Sequence, residues 1–354
     1  MEIIKNKRTY ILSFILLILF ILGAVSYYNR YYSNSEYEPV PYQRSSGIVW
    51  TTQYHITYQS DILFDDSIQV VFDKVNDCAS MFNKNSLVSK VNRNDEFLVD
   101  SMFVSLYKAS LIVNKETQGA FDPTVSPLMK EWGFVEKTNK IPSKTVIDSI
   151  RRFVGIEKTE LVGGEKLVKR DSRIEFDFSA IAKGLACDEV GRMLERNGVV
   201  NYLVEIGGEI ALKGVNPDGC EWCVSVDSPT ERYSVEFKDG ITTNEGLVIL
   251  RMSTGAIATS GNYRNYKVIG GKKVVHTMNP LTGYPEKNDL LSATIVANSC
   301  MCADAYATAC MVMGVERSKS FLESRNDLGG FLVYSVDGDT LMVWSNNRFK
   351  QLTN

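Results

Sequence analysis

The chain has 354 residues, enough for one large or two modest domains. Apolar residues make up 44% and charged residues 23%, a globular balance that permits a sizeable core. A net charge of −3, without a long basic run beyond the N-terminus, argues against a nucleic-acid partner. The two histidines, His55 and His276, exclude a multi-histidine metal centre, so any metal must be held mainly by oxygen.

Lys5, Lys7 and Arg8 precede an apolar run over residues 10–28, broken only by Ser13, Gly23 and Ser26. A membrane-spanning helix needs about 20 such residues. The leading cations place residues 1–9 in the cytoplasm and send the remainder outside it. Ala24-Val25-Ser26 offers a signal-peptidase site as the alternative. An uncleaved single-pass anchor is the favoured expectation, followed by a linker over residues 29–46 and one extracytoplasmic catalytic domain over residues 47–354. The first cysteine is Cys78, so no lipid-anchor cysteine follows the apolar run.

Apolar residues alternate at Ile48, Trp50, Ile56 and Tyr58, predicting a first strand over residues 47–58. Ile68, Val71, Phe72, Val75, Ala79 and Phe82 recur at helical spacing. Residues 83–94 are polar and read as a loop. Phe103, Leu106, Tyr107, Ser110 and Val113 predict a second helix, and a third follows Pro142 over residues 143–153. Residues 173–176 alternate as a short strand and lead into a helix over residues 180–197 that Gly198 closes. Strands are predicted at residues 202–206, 222–226, 247–252, 256–259, 273–277 and 292–297. Residues 301–313 form a helix stopped by Gly314, with a second helix over residues 316–323. Strands over residues 330–335 and 340–344 close the chain around a turn at residues 336–339. Helices early and in the middle, with strands dominating late, indicate an α+β fold with one mixed catalytic domain.

The junction Asp177-Phe178-Ser179-Ala180-Ile181-Ala182-Lys183-Gly184 gathers a carboxylate, a serine and a lysine at a helix start. Free N–H groups and positive potential there suit phosphate, which makes it the expected floor of a nucleotide site. Asp304 and Thr308 lie about one turn apart on a strongly apolar helix. They serve equally well as a cap with a back-bonded threonine or as hard ligands for Mg²⁺. His276 closes a strand before Asn279-Pro280-Leu281-Thr282-Gly283-Tyr284-Pro285, the place of a positioned acid, base or phosphate ligand, or of a structural histidine. Gly207-Gly208-Glu209 reads as a tight turn rather than a ligand rim. Residues 260–264 read as an exposed loop, with Arg264 as a phosphate-facing alternative. Cys220-Glu221-Trp222-Cys223 has redox spacing but runs into a strand, which favours a structural disulfide or inert thiols.

These motifs fall in a distinctive order. Gly119-Ala120-Phe121-Asp122-Pro123-Thr124, Trp132-Gly133-Phe134, Asp177-x-Ser-x-Ile-Ala-Lys183-Gly184, Gly207-Gly208-Glu209, Ser260-Gly261-Asn262-Tyr263, His276-x-Met278-Asn279-Pro280 and Asp304-Ala-x-Ala-Thr308 together resemble the ApbE family of FAD:protein FMN transferases. The resemblance runs from residue 47 to the C-terminus. It implies a Mg²⁺-dependent enzyme outside the cytoplasm that moves FMN from FAD to a threonine or serine hydroxyl and releases AMP. The implied acceptor is a flavoprotein subunit of a membrane electron-transfer complex. The implied metal ligands are Asp304, Thr308 and the backbone carbonyl of Ala180. Trp50, Phe82, Ala120, Phe121, Asp122, Asp177, Lys183 and Met278 are the implied FAD contacts, and His276 and Asp304 the catalytic pair. Two positions depart from the family pattern: Trp50-Thr51-Thr52 stands for Met-Gly-Thr, and Asn279 stands for aspartate. FAD hydrolysis and non-catalytic flavin binding are the alternative activities.

Overall fold

The structure is a computed structural model. It describes residues 14–27 and 40–354, except 136–139, 227–233, 236–247, 263–265, 270–271, 337–339 and 354. Two compact units divide the chain, Met1–Pro41 and Tyr42–Asn354. In the first, residues 14–27 are helical. Among the described residues no helix is long and apolar enough to cross a membrane. Residues 10–13 and 28 of the expected span lie outside the described residues, as do residues 337–339 of the turn expected over 336–339.

The second unit begins with a hairpin rather than the single strand expected over residues 47–58. β1 (Tyr42–Val49) and β2 (Thr52–Gln59) pair antiparallel from Tyr42↔Gln59 to Val49↔Thr52, so the expected linker ends before Tyr42. Trp50 and Thr51 make the turn at φ 49° and 67°. Two-residue hairpin turns normally announce themselves with Asn-Gly or Asp-Gly. With neither present, the alternation reads straight through the bend.

This hairpin edges a sheet of nine strands, ordered β1-β2-β5-β6-β10-β13-β14-β15-β8. The later strands are β5 (Tyr202–Ile206), β6 (Glu209–Lys213), β8 (Ser234–Val235), β10 (Thr254–Gly261), β13 (Leu290–Ala297), β14 (Gly329–Val336) and β15 (Thr340–Ser345). All neighbours are antiparallel except β15 and β8. Side chains along β10 alternate between two cores, as strand geometry requires. Ala256 and Ala258 face the helices, whereas Ile257 packs with Trp222, Val224 and Leu250 of the hairpin β7 (Trp222–Val226) and β9 (Val248–Met252). Burial on both faces explains why β13 reads as a nearly continuous apolar run.

The helices are α1 (Asp65–Ala79), α2 (Leu87–Asn92), α3 (Ser101–Glu116), α4 (Ser126–Glu131), α5 (Lys144–Arg151), α6 (Ala182–Arg196), α7 (Cys300–Glu323) and α8 (Asn347–Lys350). The expected polar loop over residues 83–94 therefore contains a helix, α2. Ser86 caps it by accepting the Ser89 N–H, and its buried Val88 and Val91 are too few to show a period. The two expected helices on either side of Gly314 are present: α7 spans both, and Gly314, non-helical at φ 73° and ψ −177°, separates them at a kink. A small hairpin, β3 (Thr159–Val162) with β4 (Lys166–Lys169), went unread in the sequence.

Residues 173–176 are not a strand. The side chain of Asn92 stands in for a neighbouring strand: Nδ2 donates to the Phe176 carbonyl at 2.8 Å and Oδ1 accepts the Phe176 N–H at 2.7 Å. The following helix starts at Ala182, two positions later than expected, because Phe178 to Ile181 form a preceding turn.

Two contacts lock α6 against α7. A Cβ on Gly184 would lie 2.3 Å from the Cys300 carbonyl oxygen, so only glycine permits this approach. One turn later, Asp188 accepts the Cys300 and Met301 N–H groups at 2.8 and 3.0 Å and the Ser299 hydroxyl at 2.7 Å. A carboxylate of α6 thus caps α7, satisfying donors that a helix start leaves open.

The cysteines are free. Cys220 precedes the extended β7 and Cys223 lies within it, and both are exposed. Extended backbone separates such residues by roughly 10 Å, too far for a disulfide between them. Two free thiols are therefore the reading that holds.

Two substitutions test this framework. Gly184→Ala should lower stability by about 1–3 kcal/mol through overpacking against backbone, read as a lower urea midpoint with an unchanged slope. Thr51→Gly should raise the midpoint. A left-handed β-branched residue costs about 1–2 kcal/mol, more than the roughly 0.5–1 kcal/mol of glycine entropy.

Candidate active site

The α6–α7 contact opens onto a cavity of about 310 Å³. Its walls come from the turn at Ala120, Phe121 and Asp122, the junction at Asp177, Ser179, Ala180 and Lys183, and Gly207 and Glu209 at the start of β6. The end of β10 (Ser260, Gly261), the segment His276–Met278, and Asp304 and Thr308 of α7 complete the lining. Residues far apart in sequence converge here because β6 and β10 are adjacent strands and α7 crosses β10 and β13. A second cleft of about 550 Å³ is lined by Trp50, Thr51, Val75, Met81, Phe82 and Ala182. Ser179 and Lys183 line both.

Asp304 is 3% exposed and accepts the Gly184 N–H at 3.2 Å. That N–H would otherwise point along the helix toward the Ala180 carbonyl, with which it makes no bond. Burial raises the Asp304 carboxyl above the usual range, against the opposing pull of the Lys183 charge and the Gly184 N–H. Thr308 lies on the same face, its hydroxyl 3.1 Å from that of Ser260. Asp304 is not the α7 cap, since Ser299 holds that position. The structural part of Asp304 is instead at the start of α6, where it takes the Gly184 N–H.

Glu209 closes the expected tight turn, pairing with Ile206 across Gly207 and Gly208, and it also belongs to the cluster. It is 2% exposed and pairs through Oε1 with the Lys183 ammonium. Its Oε2 is buried without a hydrogen-bond partner. Burial, reinforced by the Asp304 charge and opposed by Lys183, raises the Glu209 carboxyl above the usual range. For Lys183, burial favours the neutral amine, but Asp304 and Glu209 outweigh it and hold the ammonium charged. Asp177 accepts the Ser179 N–H at 2.8 Å, and burial raises its carboxyl too. Among the described residues, no three His, Cys, Asp or Glu side chains group into a metal site. A cation here must draw on hydroxyl and carbonyl oxygens besides Asp304.

Asp122 lines the cavity, but protein donors occupy both its oxygens. Oδ1 accepts the Thr124 N–H at 2.8 Å and its hydroxyl at 2.6 Å; Oδ2 accepts the Ile156 N–H at 3.0 Å and Asn114 Nδ2 at 3.1 Å. It shapes the turn that presents Ala120 and Phe121. His276 follows β12 (Lys272–Val275), which pairs with β11 (Tyr266–Ile269). Met278 is buried and bridges Pro285. The Trp132 indole N–H donates to the Gly283 carbonyl at 2.9 Å, tying this segment to α4.

Trp50 and Phe82 stand at the second cleft rather than the first. Phe82 is 81% exposed, a large side chain held in solvent at a cavity rim. Trp50 packs edge-on against Phe72 with ring centroids 5.7 Å apart. Asn279 does not line the first cavity. Its Nδ2 donates to Glu286 at 2.7 Å and its Oδ1 accepts the Leu281 N–H at 2.9 Å, so it organises the turn. An aspartate there could not donate to Glu286. Ser260 ends β10 instead of lying in a loop, and Arg264 lies outside the described residues.

The chain is thus a mixed α/β domain on a large antiparallel sheet whose cavity sets acidic and hydroxyl groups around a lysine at a helix start. A family model described as "ApbE family" matches residues 50–332. The flavin transferase ApbE from Vibrio cholerae superposes with a TM-score of 0.76 at 32% identity, covering 89% of this chain and 100% of that one. The apo flavinyl transferase ApbE from Pseudomonas stutzeri gives 0.78 at 26% identity, covering 90% and 98%. A Vibrio cholerae protein named FAD:protein FMN transferase is 34% identical over 88% of this chain and 93% of its own length. The chain belongs to the ApbE family and is an enzyme.

Asp122→Ala should cost about 2–4 kcal/mol in chemical denaturation, because several buried donors lose their acceptor. Unchanged stability with weakened ligand binding would instead make Asp122 a direct contact.

Proposed function

We propose that this enzyme transfers FMN from FAD to a threonine or serine hydroxyl of an acceptor flavoprotein and releases AMP. The observation that carries this reading is the pair of clefts meeting at Ser179 and Lys183. FAD has two ring systems joined by a diphosphate. A bipartite site with a lysine at the saddle suits that shape, the diphosphate crossing at Lys183 near the start of α6. Trp50 and Phe82 offer aromatic faces to one ring system, while Ala120, Phe121 and Met278 offer apolar walls to the other.

Asp304, Thr308 and the Ala180 carbonyl are hard oxygens that would hold Mg²⁺, as one carboxylate plus phosphate oxygens commonly does. The residues fit: Asp304 and Thr308 share a helix face in the cavity that Ala180 also lines, and two carboxyl groups, Asp304 and Glu209, share that cavity with the one ammonium of Lys183. When bound, the ion supplies charge neutralisation at the diphosphate. Lys183 orients the same group. The acceptor hydroxyl attacks the FMN phosphorus, its proton passes to His276, and the bond to the AMP phosphate breaks with the electron pair leaving on AMP. Catalysis is then mainly positioning and electrostatics. Asp177 and Asp122 hold the walls in place.

The apolar, cation-led N-terminal segment is read here as a cytoplasmic-membrane anchor that keeps the domain on the extracytoplasmic side, where the acceptor would be a subunit of a membrane electron-transfer complex.

The test is intact-mass analysis of a Ser/Thr-bearing acceptor domain incubated with enzyme, FAD and Mg²⁺. An FMN increment is expected. His276→Ala and Asp304→Ala should each reduce its rate by at least about 10²-fold. FMN and AMP without protein modification would assign hydrolysis instead, and retained FAD without turnover would assign flavin binding alone. Full transfer by Asp304→Ala at saturating Mg²⁺ would remove the metal role.

A further inference from the structure

Lys183 sits between two buried carboxylates but pairs with only one. Its ammonium contacts Glu209, while the charge of Asp304 acts on it without a direct ion pair. Asp304 instead takes the Gly184 N–H. Glu209 is 2% exposed and begins β6, so backbone pairing to β5 and β10 fixes its position. Lys183 is on α6, whose register against α7 is set by Gly184 and Asp188. The three charged groups therefore sit on elements that cannot slide past one another.

We propose that Glu209 is a positioning residue that sequesters Lys183 and so keeps Asp304 open for a divalent cation. The inference rests on the metal reading given above. Of the carboxylates whose charge acts on the ammonium, Asp304 remains when the Glu209 charge is removed. An ammonium seated on Asp304 repels a divalent ion and occupies its ligand. With Glu209 in place the two tasks are divided: Lys183 of α6, held by Glu209 of β6, faces the diphosphate, and Asp304 of α7 faces the cation. The unpartnered Glu209 Oε2 is consistent with a carboxylate kept for charge. A purely structural role would call for a fully bonded side chain.

The experiment measures Mn²⁺ binding by electron paramagnetic resonance to the flavin-free full-length protein, a readout separate from transfer. Glu209→Gln keeps the shape and an acceptor for Lys183 but removes the charge. It should weaken Mn²⁺ binding by about tenfold, or 1.4 kcal/mol. Lys183→Met in the Glu209→Gln background should restore binding to within about twofold of the wild-type protein, because the competitor is gone. Lys183→Met alone should bind at least as tightly as wild type. A Glu209→Gln protein with wild-type affinity overturns the proposal. So does a double variant as weak as Glu209→Gln, which would make Glu209 a direct contributor to the cation. Thermal melts confirm that each variant folds. Should Glu209→Gln fail to fold, Lys183→Met still decides, since weaker binding overturns the proposal and equal or tighter binding supports it. Failure of wild-type protein to bind Mn²⁺ is a separate outcome that overturns the metal reading and this inference with it.

Discussion

The close approach of α6 to α7 at Gly184 is the constraint on which the site depends. A single methyl group there would meet the Cys300 carbonyl. Without the approach, the Gly184 N–H could not reach Asp304, and Asp188 could not cap the facing helix. The same contact that packs the core also places a carboxylate against the lysine-bearing turn. Stability and site geometry are therefore one quantity here, not two.

Charge is the second organising theme. Asp122, Asp177, Asp188, Glu209 and Asp304 all have carboxyl groups raised by burial, yet they are handled differently. Asp122 and Asp188 are satisfied by donors from the protein and act as architecture. Glu209 and Asp304 share one lysine between them. That imbalance of buried negative charge is costly in isolation and becomes favourable only with a cation or an equivalent charge nearby. Such uncompensated clusters are where ligands are expected.

Much of the site was legible in the sequence, and for identifiable reasons. Asp304 and Thr308 stood out because polar residues one turn apart in an apolar helix need a purpose. The Asp177–Gly184 stretch carried a helix start with anion-binding chemistry. Misreadings came where tertiary contacts replaced local signals. Residues 173–176 alternate like a strand, but their partner is the side chain of Asn92. Trp50 and Thr51 turn the chain without turn residues. Glu209 is the tail of a glycine turn, as its neighbours announce, but that β6 lies beside β10 at the cavity is a tertiary fact that no local signal carries.

The sequence by itself determined the residue types, their order and the periodicities that make an α+β fold of the ApbE family, because these depend on chemistry and spacing along one chain. Which carboxylate serves the framework and which faces the cavity was decided only by the tertiary structure. That choice depends on how many donors from distant segments reach each oxygen. Such a count exists only after β6, β10, α6 and α7 have come together.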